Sequence, residues 1–313
     1  MKNRRDFIRI SAAGAVGTMV LGTYACGSGA KKTAEEAAAV AVKAASDPGV
    51  GLILYTIRDA MAEDVPGSLK KVADMGYSYV EAADYKDGKF YGYAPAEFKK
   101  MVDDLGMTVK SSHATVEAEG ISMENAQKMA DDHAALGVTY CIQPWVNEQD
   151  RTVDMFKKMV ADWNQVGEVM QKAGIQFGYH NHNFEFKNMD GIVPYYDIYM
   201  KEMDPKLIIM ELDIYWAMKG GQDPVEMFNK YPGRFPLWHM KDMSQAVTEP
   251  FYTVDKDDIT SVGAGLIDYK RIFAAKETAG MKYYFVEDDN QGNGHPFEGI
   301  KTSIDNIKTK ILV

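Results

Sequence analysis

From Val50 onward the chain repeats one pattern: apolar residues three and four apart, then a glycine, then a short continuous apolar run. The first spacing predicts an amphipathic helix, the glycine its left-handed C-terminus, and the run a strand buried on both faces. The glycines are Gly76 in "ADMGYSYVEAA", Gly106 in "DDLGMTVKSSH", Gly137 in "AALGVTYCIQP", Gly174 in "QKAGIQFGYH" and Gly280 in "ETAGMKYYFVE". The clearest helix places Phe156, Met159, Val160, Trp163, Gly167 and Met170 on one face, a core stripe. Three further runs, "VGLILYT", "KLIIMELD" and "FPLWHMKD", bring the strands to eight, over residues 50–55, 78–82, 108–113, 139–144, 175–182, 207–213, 236–241 and 282–287.

Eight strands alternating with helices over residues 49–313 is the rhythm of a (β/α)8 TIM barrel, for which about 250 residues is typical. An open doubly wound sheet is the alternative. It calls for a glycine-rich nucleotide loop after the first strand, and "LILYTIRDAM" has none.

The first 48 residues break the pattern. "NRRDFIRI" joins Arg4 and Arg5 to a short Ala- and Gly-rich apolar run, Ile10 to Leu21, the form of a twin-arginine export signal over residues 1–26. That run is too short to remain as a membrane-spanning helix. "LGTYACGSG" resembles a bacterial lipoprotein box at Cys26, and a plain cleavage site is the alternative. Residues 27–48 are Ala-rich and low in complexity, which predicts a linker. The expected location is therefore outside the cytoplasm, periplasmic or held at the membrane by an N-terminal lipid. With Cys141 the only other cysteine, no disulfide framework is expected.

Charge narrows the partners. Residues 1–26 hold Lys2, Arg4, Arg5 and Arg9 against Asp6, so their removal takes the formal charge from -10 to -13. Such a surface repels nucleic acid and anionic lipid. A small neutral or cationic molecule is the expected partner; the sequence does not fix an oligomeric state.

In a barrel, reactive groups collect at the C-terminal ends of the strands. Taken in order, these ends supply Tyr55 and Arg58; Glu81; His113; Gln143 and Trp145; His180, His182 and Glu185; Glu211 and Asp213; His239, Lys241 and Asp242; then Glu287, Asp288 and Asp289. Four of the six histidines fall on this rim, while His133 reads as a helix-surface residue and His295 as a loop residue. His, Asp, His and Glu ending four consecutive strands predict a metal site. The mixed imidazole and carboxylate donors suit one divalent ion, Mn²⁺, Zn²⁺, Co²⁺ or Fe²⁺, over Mg²⁺ or Ca²⁺.

"LILYTIRD", "YHNHNFEF", "ELDIYWAMKGGQDP", "WHMKD", "VGAGLIDYKRI" and "YYFVEDDN", in this order, resemble the sugar phosphate isomerase/epimerase family of xylose-isomerase-like barrels over residues 50–313. The resemblance implies a Glu, Asp, His, Glu quartet holding one divalent metal. Asp213, His239 and Glu287 match the last three ligands, and His180 stands where many relatives carry the first glutamate. It also implies proton abstraction beside a sugar carbonyl, with Glu287 as ligand and base, His180 as ligand, and His113 or Lys241 as acid or substrate donor. His182 and Glu185 would orient hydroxyls, Tyr55 would line the pocket, and Trp145 and Trp216 would stack on the sugar, a core or rim-packing role being the alternative for either. The expected substrate is an unphosphorylated sugar or an oxidised glycoside, because sugar phosphates are scarce outside the cytoplasm and the rim has few cations. The "VGAGL" glycines are expected to make a tight turn, a phosphate cradle being the alternative. Besides isomerisation or epimerisation, a lyase or hydratase acting on 3-keto-glycosides and a non-catalytic carbohydrate-binding barrel remain open.

Overall fold

Eight parallel strands close on themselves in the computed structural model, which describes residues 49–114, 120–189, 193–252 and 256–313. The expected export signal and the Ala-rich linker lie outside the described residues. The barrel strands are β1 (Gly51–Ile53), β2 (Tyr79–Ala82), β3 (Thr108–His113), β4 (Tyr140–Gln143), β5 (Gln176–His180), β6 (Ile208–Asp213), β7 (Leu237–Met240) and β8 (Tyr283–Val286). Each pairs with its neighbour in sequence, and β8 returns to β1 through Gly51↔Phe285. The (β/α)8 expectation holds. Several strands stop short of their expected ends: β1 gives way to a 3-10 turn at Leu54–Ile57, β5 ends at His180, and β7 ends at Met240. His182 and Lys241 therefore sit just beyond the ladder, where the chain turns to form the mouth.

All five glycines that end a helical pattern have φ between 76° and 89°, a conformation that costs other residues about 1 kcal/mol or more. The long helix Val153–Lys172 buries Phe156, Val160, Trp163, Gly167 and Met170, with Met159 half-buried beside them. Each such apolar side chain stabilises the fold by roughly 1.5–3 kcal/mol relative to exposure. Among the described residues no helix is long and apolar enough to cross a membrane.

Inside the barrel the period-2 alternation of strands builds two layers. Ile53, Tyr79, Tyr140, Ile142, Leu237 and Phe285 form a buried apolar plug. Two residues further along the same strands come Glu81 after Tyr79, His239 after Leu237 and Glu287 after Phe285. Gly178 on β5 lies level with the plug. A Cβ there would meet Ile142 Cδ1 at 2.6 Å and Ile209 Cδ1 at 2.7 Å, so a larger residue would have to push both isoleucine side chains aside. The register between β2 and β3 shifts between Val80 and Glu81, a bulge of the kind that re-aims a side chain.

A hairpin, Tyr85–Lys86 against Lys89–Phe90, follows β2. It corrects one expectation. His133, on helix Ala126–Leu136, is fully buried, its ring 5.2 Å from both the Tyr85 and Phe90 rings. The hairpin covers a helix face that the sequence leaves polar.

Candidate metal centre and substrate cavity

Asp213 ends β6 and caps helix Ile214–Lys219: its Oδ1 accepts the Trp216 N–H at 2.8 Å. One oxygen is thus fixed by a helix start, and Oδ2 is left for a cation. It faces the Lys241 ammonium and, at 3.8 Å, His180 Nε2. Glu287 follows β8, and its Oε2 lies against the same ammonium and 2.5 Å from His239 Nδ1. Donor atoms of His180, Asp213, His239 and Glu287, all buried, lie within 4.8 Å of one another.

These four residues fit a divalent ion on the chemistry of their donors, two imidazole nitrogens and two carboxylate oxygens. The ammonium already shows that positive charge belongs there. Asp213, Glu287 and, at 3.6 Å, Asp289 are three carboxylates around one Lys241, and the ammonium takes the Asp213 and Glu287 oxygens that a metal ion would share or displace it from.

A deeper group lies beneath. Glu211 Oε2 is 2.8 Å from His113 Nε2, 3.2 Å from His180 Nδ1 and 3.2 Å from His239 Nε2, while Glu81 Oε2 is 2.7 Å from His239 Nε2. His180 and His239 therefore each turn one ring nitrogen to the quartet and the other to a buried carboxylate. That arrangement fixes the tautomer of a metal-binding imidazole. A second donor set, His113, His180, Glu211 and His239, shares both of these histidines with the first, and a ring whose other nitrogen carries a proton offers its lone pair to one set only.

The electrostatics follow from burial opposed by pairing. Burial pushes Glu81 up, with the Glu211 charge adding to it. Burial acts on Glu211 in the same sense, but His239 and the imidazole hydrogen bonds outweigh it and hold that carboxyl well below its usual range. Glu287 is likewise held low, burial being overcome by Lys241 and His239. Asp213 is pushed up to about 6 by burial, which Lys241 only partly offsets. For His113 and His239, burial lowers proton affinity, yet the surrounding glutamates raise it overall, for His239 well above its ordinary value. His180 is lowered to about 3 by burial and the neighbouring His239 charge.

Above the quartet opens a cavity of about 300 Å³. Tyr55, His113, Trp145, His180, His182, Trp216 and Glu287 line it, which brings seven of the expected site residues together. Asp213 and His239 lie directly beneath as the other two quartet members. Lys241 does not line the cavity. It is 1% exposed and its ammonium is spent on Asp213 and Glu287, so the expectation that it donates to substrate does not fit, and it serves as a counter-ion. Glu185 is also absent from the lining. It is fully buried, accepting from Tyr179 Oη at 2.6 Å and the His182 N–H at 3.0 Å. Its place is to hold the turn that presents His182 rather than to orient a hydroxyl.

Residues given no role from the sequence enter here. Asp289 and Lys256 line the cavity, and Asp289 Oδ2 makes no hydrogen bond. Glu81 and Glu211 form the deeper support. A strand-end carboxylate two residues after an inward apolar residue is the signal that marks Glu81 and Glu211; Lys256, in a loop, has none.

The "VGAGL" segment closes a tight turn. Asp242 accepts backbone N–H groups from Met243, Gly263, Gly265 and Ile267. A Cβ at Gly265 would meet Asp242 Oδ1 at 2.3 Å. An internal carboxylate already takes the amides that a phosphate would need.

This chain belongs to the xylose isomerase-like TIM barrel family, whose model matches residues 69–310. Among solved structures it is similar to a sugar phosphate isomerase/epimerase from Parabacteroides distasonis ATCC 8503, at 30% identity and a TM-score of 0.70, covering 85% of this chain and 96% of that one. The IOLI protein with a binding zinc atom shares the fold at 14% identity and a TM-score of 0.64, over 84% of this chain and 99% of that chain. Among curated proteins it is similar to an inosose dehydratase from Geobacillus thermodenitrificans (strain NG80-2), 27% identical over 158 residues, 47% of this chain and 52% of that protein. The chain thus spans about half the length of that relative.

Proposed function

We propose that this protein is a metal-dependent enzyme that removes a proton beside the ketone of an unphosphorylated sugar, cyclitol or oxidised glycoside and then expels water or an alcohol from the next carbon. The observation that carries the reading is one cavity, set over a four-donor cation site, lined both by strand-eight carboxylates and by the His113 imidazole. A carboxylate and an imidazolium are groups of different kind, suited to taking one proton and giving another. Epimerisation by two facing carboxylates is disfavoured, because His180 occupies the strand-five position.

A divalent ion held by His180, Asp213, His239 and Glu287 would supply Lewis-acid polarisation of the carbonyl. Glu287, expected to double as base, has its Oε2 held by His239 and Lys241. We therefore assign proton removal to Asp289, whose Oδ2 makes no hydrogen bond and lies 3.6 Å from the Lys241 ammonium, further than Glu287 does. The C–H electrons pass into the carbonyl to give an enolate. As these electrons return, the bond from the next carbon to its oxygen breaks, and His113 gives its proton to the departing oxygen. The products are an unsaturated ketone and water or alcohol; a proton passing from Asp289 to His113 restores the site. The Glu81 and Glu211 charges raise the proton affinity of His113 against burial, in the direction this step needs.

Relatives named as inosose dehydratases support elimination. Isomerisation begins with the same proton transfer and is favoured by the name of the Parabacteroides relative. The filled Asp242 turn and the twin-arginine pattern support an unphosphorylated substrate. Export, with or without a lipid on Cys26, belongs to the same proposal and rests on the N-terminal pattern alone.

The test is incubation of metal-analysed protein in D₂O with ketohexoses, cyclitol ketones and 3-keto-glycosides, followed by NMR and ultraviolet absorbance. Expected are deuterium beside the carbonyl and the absorbance of a conjugated ketone. Exchange with a rearranged sugar and no conjugated ketone would select isomerisation. Binding without exchange of any compound would leave a carbohydrate-binding barrel and sink the enzyme reading.

A further inference from the structure

The cavity over the metal centre does not end at the reacting ring. A second cavity of about 390 Å³ lies between the turn after β1 and the segment after β2, and shares Tyr55 and Ala83 with the first. A third, of about 340 Å³, shares Met61, Ala62, Val65 and Tyr91 with the second and adds Tyr93. The three cavities thus lie side by side, the first two meeting at Tyr55 and Ala83 and the last two at Met61, Ala62, Val65 and Tyr91. The first cavity alone lies at the lower end of the roughly 300–1,000 Å³ typical of ligand sites, enough for one ring. The neighbouring space is large enough for a second ring.

The outer wall is built, and at a cost. Tyr91 follows the second strand of the hairpin with φ 52°, left-handed for an aromatic residue, a strain of order 1–3 kcal/mol that persists only when neighbours enforce it. Its hydroxyl accepts the Ala83 N–H at 2.8 Å, which pins the segment both cavities share. On the opposite wall, the Arg58 guanidinium lies 4.3 Å from the Tyr55 ring centre and donates to the Tyr55 and Asp289 carbonyls. Aromatic faces beside charged groups match a sugar, which offers C–H faces for stacking and hydroxyls for hydrogen bonds.

We propose that the cleft between Tyr55 and Tyr91 is a subsite for a second sugar unit, so that the substrate is a glycoside whose oxidised ring sits over the quartet. This rests on the reading above and narrows it to substrates of at least two units. Ala62 is exposed, lines the second and third cavities, and does not line the first, so Ala62→Trp fills the subsite without touching the reacting groups.

The experiment compares 3-ketosucrose with 3-ketoglucose, by calorimetric binding and by exchange in D₂O, for the wild-type protein and Ala62→Trp. Wild type should favour the disaccharide by about tenfold or more in both measurements, the worth of one stacked ring with a hydrogen bond. Ala62→Trp should abolish that preference and leave 3-ketoglucose within about twofold, with unchanged circular dichroism. Equal affinity for the two sugars, binding of neither, or an equal loss on both in the variant overturns the subsite. A binding preference without exchange keeps the subsite and sinks the enzyme reading. Exchange without preference does the reverse.

Discussion

At the barrel mouth His239 lies among Glu81, Glu211 and Glu287, whereas behind the β2 hairpin His133 lies between the rings of Tyr85 and Phe90. Both are 0% exposed. Burial acts on both in the same direction, against the charged imidazole. Around His239 three carboxylates reverse it. Around His133, where Nδ1 bonds only the Met129 carbonyl and Nε2 makes no hydrogen bond, burial wins and proton affinity falls to about 4. Charge at the mouth is therefore placed there by paired residues at a stability cost, which a packing role does not require.

The largest break in this comparison removes a carboxylate from the quartet. Glu287→Gln takes away one donor of the proposed metal site and the partner of both His239 and Lys241; activity should fall by about 10³ or more and bound metal, measured by elemental analysis, should drop with it. Retention of both would show that the mouth charges serve something else. Asp289→Asn should cost about 10²–10⁴ in kcat, the usual worth of a general base, with metal content unchanged. Loss of metal in that variant would move Asp289 into the ligand set.

Glu211→Gln probes the deeper support and should be milder. It leaves the quartet in place but frees the orientation of His180 and His239, for a loss of about 10–100-fold in metal affinity or activity. A pH profile separates this from general damage. His113 must be protonated to act as acid, and its affinity for the proton is raised by Glu81 and Glu211 against burial. Activity is thus present below the raised value and lost as pH rises through it. Removing the Glu211 charge should move that alkaline limb to lower pH. An unmoved limb would detach His113 from the acid role.

Much of this was legible in the chain because it depends on local rules. The five left-handed glycines, the eight strand runs and the list of strand ends follow from period and turn chemistry, and Asp213, His239 and Glu287 fall where the list puts them. The remainder depends on three-dimensional closure. Nothing in "YSYVEAA" announces the bulge at Glu81, which is a matter of register between two strands. The spacing of "WHMKD" does not say whether Lys241 faces the cavity or lies beneath it. His133 misled because its helix is judged by its own polar neighbours, while its cover comes from "YKDGKF". There Asp87 and Gly88, with φ of 52° and 79°, make the Asp-Gly turn that could have announced a hairpin.

His133 supplies the smallest and sharpest test of the comparison. Its folded-state value of about 4 lies below the ordinary 6.5, so above pH 6.5 both folded and unfolded chains hold it neutral and it contributes no pH dependence. As pH falls from about 6.5 towards 4, the unfolded chain takes up a proton that the fold excludes, and stability declines by roughly 3 kcal/mol over that window. His133→Phe keeps an aromatic ring against Tyr85 and Phe90 and removes the titration. Urea midpoints at pH 7.5 and 4.5 should fall further in the wild type than in the variant. An identical decline would mean that the pocket behind the hairpin admits the charged ring as readily as the barrel mouth does, and that burial without a carboxylate does not separate the two regions.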